Sequence, residues 1–279
     1  MLTTFPRLLL DHAARRGQAP AMREKEYGIW QTRSWADIAR MAEHIACGLH
    51  QAGLHRGEHM VIIGANRPRL YATMLAAQSL GAIPVPLYQD AVAAECVFPI
   101  NNAEVRFALV EDQEQVDKML EIRESCPQLS HIYFDDPRGL RNYDEEGLAG
   151  LDELIGAGEA FSKQHPDFYK DEIEKAQSGD VAAMFFTSGT TGNPKGAVHT
   201  HNSLIDRARA GAEFDRLFKD YCWAIGRKRC PRDHYADDYL LFPGKPAARL
   251  PHAPARPQDL RALLRRAMQA IGTESSQNA

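Results

Sequence analysis

Val181-Ala182-Ala183-Met184-Phe185-Phe186-Thr187-Ser188-Gly189-Thr190-Thr191-Gly192-Asn193-Pro194-Lys195-Gly196 is an apolar run that breaks abruptly into glycines, hydroxyls and one lysine. The apolar part, Val181 to Phe186, reads as a buried strand. The part from Thr187 to Gly196 has what a polyphosphate needs. Glycines let backbone N–H groups turn inward with no Cβ in the way. The hydroxyls of Thr187, Ser188, Thr190 and Thr191 add short donors, and Lys195 adds a compact positive charge. Pro194 stiffens the return of the chain, which reduces the ordering entropy lost on binding. A solvated turn would use the same residue types. What separates this loop from such a turn is that consecutive positions all fit one phosphate cradle. A G-x-x-x-x-G-K-[ST] loop is excluded: counted from Gly189, Pro194 takes the second glycine position, and Gly196 stands where Ser or Thr is required. The stretch also lacks a G-x-G-x-x-G dinucleotide pattern.

Working outward, strand and helix patterns alternate. Ser34 followed by Asp37 predicts a helix N-cap. Ile38, Met41, Ile45 and Leu49 then recur at helical spacing until Gly53 stops the run. Met60 to Ile63 reads as a buried strand, Arg69 to Leu80 as a helix, and Ile83 to Leu87 as a strand broken by prolines. Ala91 to Asn101 is helix-like, Phe107 to Val110 a strand, Gln113 to Ser125 a helix, and Leu129 to Phe134 a strand. The text from Pro137 to Gly179 is acidic and loop-rich, with one helix predicted at Leu151 to Phe161. After the phosphate-type loop, Ala197 to Thr200 reads as a short strand and Asn202 to Leu217 as a helix. This order predicts an α/β fold with helices packed on a largely parallel sheet. The strands are short and apolar throughout, as expected where helices cover both faces.

Phe186 to Gly196 resembles the phosphate loop of the adenylate-forming superfamily, which holds AMP-forming acyl-CoA synthetases (AMP-dependent synthetase/ligases), adenylation domains of peptide synthetases and luciferases. Val198-His199-Thr200-His201-Asn202 matches the strand and helix start that follow the loop there. Gly64-Ala65-Asn66-Arg67-Pro68, Gly81 to Tyr88 and Phe5-Pro6-Arg7-Leu8-Leu9 resemble the long-chain fatty-acid–CoA ligase branch. The resemblance covers roughly residues 3 to 217, so the fold expected is the N-terminal part of the adenylate-forming synthetase fold, incomplete.

That resemblance implies a two-step reaction. A carboxylate attacks the α-phosphate of Mg-ATP to give an acyl-adenylate and pyrophosphate, and the thiol of coenzyme A then displaces AMP. ATP, Mg²⁺ and coenzyme A are the implied cofactors and co-substrates, with a long-chain fatty acid as the second substrate. Thr187, Ser188, Gly189, Thr190, Thr191, Gly192, Lys195 and Gly196 would hold the β- and γ-phosphates. Lys195 would stabilise charge on the departing pyrophosphate, and Thr187 or Thr190 would lie near Mg²⁺. The work is electrostatic and positional rather than proton transfer. His201 would sit near the acyl pocket, and a weak association with the membrane surface is implied.

Family members carry further parts after the phosphate loop: an aromatic-Gly-x-Thr-Glu segment, an acidic residue for the ribose and a lid with a catalytic lysine. None appears after Leu217, where composition also changes. From Phe218 onward there are 11 Lys+Arg against 6 Asp+Glu and 6 of the 16 prolines, while the residues before it hold 22 basic against 31 acidic. The expected organisation is a synthetase N-terminal region over residues 1–217, followed by a divergent Arg/Pro-rich tail over 218–279, frameshifted or disordered. The form expected of this chain alone is truncated: inactive, or binding nucleotide without turnover. The competing reading is a non-catalytic nucleotide-binding or interaction fragment with a basic tail.

Other features exclude more than they add. The net charge is only -4 and no nucleic-acid partner is expected. Cys47, Cys96, Cys126, Cys222 and Cys230 are odd in number with no C-x-x-C pair, which fits a reducing cytoplasm. There is no signal-peptide pattern, and no apolar run approaches the ~20 residues of a membrane span. His199 and His201 would share a strand face, read as structural for want of a third ligand. His55 and His59 read as turn or surface histidines, and Cys222, Cys230 and His234 match no zinc-finger spacing. Arg227-Lys228-Arg229 and Arg265-Arg266 read as solvated surface, and Asp135-Asp136 and Glu145-Glu146 as exposed loop charges.

Overall fold

Strand β3 (His59–Ile63) sets the architecture, because every residue after His59 is buried. A strand sends successive side chains to opposite faces, so Met60 and Ile62 enter one core while Val61 and Ile63 enter another. β5 (Phe107–Val110) repeats the division, with Phe107 and Leu109 on the first side and Ala108 and Val110 on the second. Both strands pair with each other in parallel, Met60 opposite Phe107 and Ile63 opposite Val110. A continuous apolar strand of this kind is stable only between two helical layers. Each fully buried Ile, Val, Leu or Phe contributes about 1.5–3 kcal/mol relative to an exposed one.

The computed structural model describes residues 3–187 and 193–224, with side chains described through residue 212. Helix α1 (Phe5–Arg16) is followed by the antiparallel strands β1 (Pro20–Glu26) and β2 (Ile29–Ser34), then α2 (Trp35–Gln51). After β3 come α3 (Pro68–Ser79), β4 (Ile83–Leu87), α4 (Ala93–Asn102), β5, α5 (Gln113–Glu121), β6 (His131–Phe134) and β7 (Leu148–Gly150). Two helices, α6 (Leu151–Gln164) and α7 (Phe168–Lys175), lead to β8 (Val181–Thr187), β9 (Lys195–Thr200) and α8 (His201–Ala224). The five strands β4-β3-β5-β6-β7 form one parallel sheet in that order. Helices α2, α3, α6 and α7 cover the face that carries Met60 and Ile62, and α4 and α5 cover the other. The described residues up to Ile205 form one compact unit, and α8 runs on past it and past Leu217 to Ala224.

Local chemistry explains the boundaries. Ser34 caps α2 with a reciprocal pair of bonds: Asp37 N–H donates to Ser34 Oγ (3.1 Å), and Ser34 N–H donates to Asp37 Oδ2 (3.0 Å). Just beyond its C-terminus Gly53 adopts φ +92°, a conformation that favours glycine. β4 is one unbroken strand rather than the interrupted one expected. It is the edge of the sheet, and Pro84 and Pro86, two apart, both turn their missing donors away from β3. The loop-rich reading of 137–179 is also corrected: β7 and α7 lie there besides α6.

The carboxyl ends of β3, β5 and β6 gather charges that are far apart in the sequence. Gly64 leaves β3 so close to β5 that a Cβ on it would stand 2.7 Å from Glu111 Cβ. Glu111 accepts hydrogen bonds from Ala65 N–H and from Arg67 Nε, and Arg67 also faces Glu24 at 3.7 Å. Arg69 reaches Asp135 at 2.6 Å and also pairs with Asp152. Asp135 is therefore not an exposed loop charge: its side chain is 10% exposed, and burial pushes its carboxyl up to about 6 against the pull of Arg69. Asp136 is half-buried rather than exposed and pairs with Arg138, while Glu145 is exposed as expected and pairs with Arg123.

The folded Asp135 holds its proton more tightly than the unfolded chain does, so its contribution to stability is greatest below about pH 4 and declines as pH rises to about 6. Asp135→Asn removes this dependence. Urea unfolding at pH 5 and pH 7 should show the variant gaining roughly 1 kcal/mol on the wild type between the two.

Candidate functional site

The residues that flank the phosphate-type loop belong to an antiparallel hairpin. β8 and β9 pair Met184 with Val198, Phe185 with Ala197, Phe186 with Gly196 and Thr187 with Lys195, after an irregularity between Val181 and Ala183. Directly paired residues put their side chains on one face of a hairpin. The Thr187 hydroxyl and the Lys195 ammonium group therefore leave the root of the loop on the same side, and both residues are exposed. The Thr187 hydroxyl also lies 3.5 Å from the Lys195 carbonyl oxygen, to which it donates, closing the root. Ser188, Gly189, Thr190, Thr191 and Gly192 lie outside the described residues. So do the side chains of Cys222 and of the tail features Arg227-Lys228-Arg229, Cys230, His234 and Arg265-Arg266.

The apolar half of β8 holds this root to the core. Gln78, at the end of α3, donates from Nε2 to the Ala182 carbonyl at 2.8 Å, and the bond is fully buried. Met184 and Phe186 pack against the cluster around Val61 and Val110. Phe186 meets Phe98 of α4 edge-on at 6.4 Å, and Phe185 meets His199 at 5.5 Å. Gly196 suits the crowded partner strand: a Cβ there would lie 3.1 Å from Met184 Sδ and 3.3 Å from Phe186 Cζ, and those side chains would have to shift to admit it.

The two histidines after the loop have different roles, contrary to the shared strand face expected. His199 lies in β9, whereas His201 is the first residue of α8 and only 2% exposed. Phe5 N–H donates to His201 Nδ1 at 3.4 Å, and the two rings stand 5.7 Å apart. Burial pushes the imidazole down to about 4 despite the nearby Asp180, so the ring is neutral at pH 7 and able to accept. Thr200 Oγ1 accepts from Ser203 N–H at 3.4 Å at the start of the helix. His55 is exposed in a turn as expected, but His59 opens β3 and is half-buried, its pKa lowered by burial.

Among the described residues no group of three His, Cys, Asp or Glu could hold a metal ion. A second polar centre was missed by sequence reading: the Glu111–Arg67 and Asp135–Arg69 pairs at the carboxyl edge of the sheet. β3 and β5 are neighbours whose connections leave in opposite directions, the position where open α/β sheets bind ligands. Here Ala65 N–H and Arg67 already satisfy Glu111, so the crevice is closed by internal charge pairs. The run Gly64 to Pro68 was legible, but its carboxylate partner was not.

A family model for AMP-binding enzymes matches residues 9–227. The chain belongs to the AMP-binding enzyme family. Within this family it is 27% identical, over 217 residues, to the long-chain-fatty-acid–CoA ligase ACSBG2 of Xenopus laevis, covering 77% of this chain and 28% of that protein. It is 28% identical to human ACSBG2 over 204 residues, covering 72% and 29% respectively. The chain thus spans less than a third of the length of these relatives. The anthranilate–CoA ligase AuaEII, solved with anthranoyl-AMP, superposes with a TM-score of 0.63 at 20% identity, over 76% of this chain and 38% of that one. The N-terminal domain of FACL13 from Mycobacterium tuberculosis gives 0.54 at 21% identity, over 76% and 48%. The fold is that of the adenylate-forming synthetases, in part.

The buried Gln78–Ala182 bond gives a direct test of the anchor. Gln78→Leu leaves the Ala182 carbonyl without its partner and should lower the unfolding free energy by about 1–3 kcal/mol in urea titration. Gln78→Glu, which keeps the length but loses the donor, should be no better.

Proposed function

We propose that this chain carries the ATP-polyphosphate grip of an AMP-forming long-chain fatty-acid–CoA ligase. One observation supports the reading above the others: Thr187 and Lys195 are cross-strand partners at the root of a Gly/Ser/Thr loop, and their strand is fixed by buried contacts. A hydroxyl and an ammonium group on one face suit the β- and γ-phosphates of ATP. The backbone amides and hydroxyls of 188–192 would complete the cradle.

In this reading the fatty-acid carboxylate oxygen attacks the α-phosphorus of Mg-ATP. The bond from that phosphorus to the bridging oxygen breaks, and pyrophosphate leaves with the electron pair. Lys195 and the loop donors stabilise the charge that develops on it, more strongly as the bond breaks than before. The thiolate of coenzyme A then attacks the acyl carbon and releases AMP. Mg²⁺ enters with the nucleotide as Mg-ATP. The described loop root offers one hydroxyl, Thr187, and no carboxylate cluster, so phosphate oxygens and water would supply the ion's other ligands. Thr190 is the second hydroxyl of this proposal.

The same reading has the enzyme working in the cytoplasm with peripheral contact to membranes, where long-chain fatty acids partition. Among the described residues no helix is long and apolar enough to cross a membrane. The adenine, ribose and lid parts of the family's site are not found in residues 218–279. By itself, then, the 279-residue chain is proposed to hold nucleotide without completing the reaction, with residues 1–217 as the binding region and 218–279 as a divergent tail.

Titration with a fluorescent ATP analogue in the presence of Mg²⁺ tests the grip. The wild-type chain should bind saturably. Lys195→Ala should weaken binding on the order of tenfold, the loss expected for one charge-assisted contact. Equal binding by both would reject the role of Lys195. In parallel, these 279 residues with a long-chain fatty acid should show no ATP–pyrophosphate exchange, and robust exchange would reject binding without turnover.

A further inference from the structure

The two strands of the phosphate-type hairpin are held to the protein in different ways. β8 buries Ala182 and Ala183 and takes the Gln78 bond, whereas β9 has no buried residue. Lys195, Gly196 and Val198 of β9 are exposed, and Ala197, His199 and Thr200 are half-buried. None of the six residues enters a core cluster. A strand of this kind specifies its own register weakly, and a one-residue slip turns every side chain to the other face. Lys195 would then leave the face it shares with Thr187.

A fixed point lies one residue beyond the strand. His201 is buried and follows the last cross-strand pair, Val181 with Thr200. Its N–H donates to the Asp180 carbonyl at 3.1 Å, which continues the ladder, and Asn202 N–H donates to the Ser178 carbonyl at 2.9 Å. The receiving turn is itself tied, because Asp180 Oδ2 accepts Gln177 N–H at 2.9 Å and faces Arg56 Nη1 at 3.9 Å. These bonds join β9 to the start of β8. The His201 ring joins it to the body of the protein: Nδ1 accepts Phe5 N–H at 3.4 Å. Phe5 is the first residue of α1, so this N–H has no acceptor within its own helix. α1 is firmly placed in turn, with Leu8 and Leu9 buried and Arg7 Nη2 donating to the Glu174 carbonyl at 2.8 Å.

We infer that His201 is a positioning residue for Lys195: by accepting the free N–H at the start of α1, it fixes β9 and hence the face on which the lysine meets a polyphosphate. The role rests on the polyphosphate reading of the loop. It adds an anchor on the lysine's own strand to the Gln78 anchor on β8. An acceptor is needed at this place, and a neutral imidazole carries one. Leucine would occupy the space but leave the Phe5 N–H without a partner, which costs more than a missing pair.

Titration of the whole chain with a fluorescent ATP analogue and Mg²⁺, with substitutions at both ends of the bond, tests this role. His201→Leu should weaken binding about fivefold, the loss expected for one hydrogen bond. His201→Asn, whose Oδ1 takes the place of Nδ1, should bind within about twofold of the wild type. Phe5→Pro removes the donor instead. Thr4 is already extended, as a residue before proline prefers, and proline is tolerated at the first helical position. This variant should match His201→Leu, and combining the two should add no further loss, since both remove one bond. Urea unfolding alongside checks that each variant is folded under the titration conditions, and if His201→Leu is not, Phe5→Pro decides. Full affinity in the leucine and proline variants would overturn the inference, and so would an asparagine variant as weak as the leucine one. In either case weak binding by Lys195→Ala would leave the grip reading standing. A wild type that binds no nucleotide would reject both.

Discussion

The two-sided burial of β3 and β5 is the constraint on which the rest depends. A strand exposed on either face would have to alternate apolar with polar residues, and neither does. Met60 and Ile62 need α2, α3, α6 and α7, while Val61 and Ile63 need α4 and α5. Once both layers are present, β4, β5 and β6 are each reached by a helical crossover and β7 by the loop 135–147, and all five strands pair in parallel. The charged residues at the sheet's carboxyl edge then have to satisfy one another. Glu111 takes Ala65 N–H and Arg67, and Asp135 takes Arg69, because water reaches them poorly.

The phosphate-type loop depends on this frame. β8 is not hydrogen-bonded into the five-stranded sheet, so its position comes from side chains: Met184 and Phe186 against the α4 and α5 layer, and Gln78 on the Ala182 carbonyl. Those contacts leave the Thr187–Lys195 pair exposed at the loop end of the hairpin. A charge-stabilising site needs donors that are already fixed before the charge develops. The anchored root supplies that rigidity at Thr187 and Lys195, from which the proposed grip starts.

Much of this was legible in the sequence. β4 and β5 begin and end where the apolar runs do, and the Ser34–Asp37 pair marks the start of α2. The residue types of 187–196 predict a phosphate cradle, of which the structure describes the root pair Thr187 and Lys195. Elements whose pattern is short or interrupted were not legible. β1 carries an irregularity between Pro20 and Met22 that breaks its period, and its turn is Tyr-Gly rather than Asn-Gly. β7 spans three residues, and α7 buries only Tyr169 and Ile173. Asp135 looked exposed because its partner Arg69 comes from a different element, and His201 looked like a strand residue because Thr200 ends the strand one position earlier. Linear patterns report periodicity, but pairings between distant elements emerge only when the sheet is assembled.

Hydrogen-exchange mass spectrometry with and without a non-hydrolysable Mg-ATP analogue tests the central claim most directly. Peptides covering 186–196 should exchange more slowly when the nucleotide is present, while those from β3 and β5 stay unchanged. Nucleotide binding that leaves the exchange of 186–196 untouched and slows another segment instead would contradict the account.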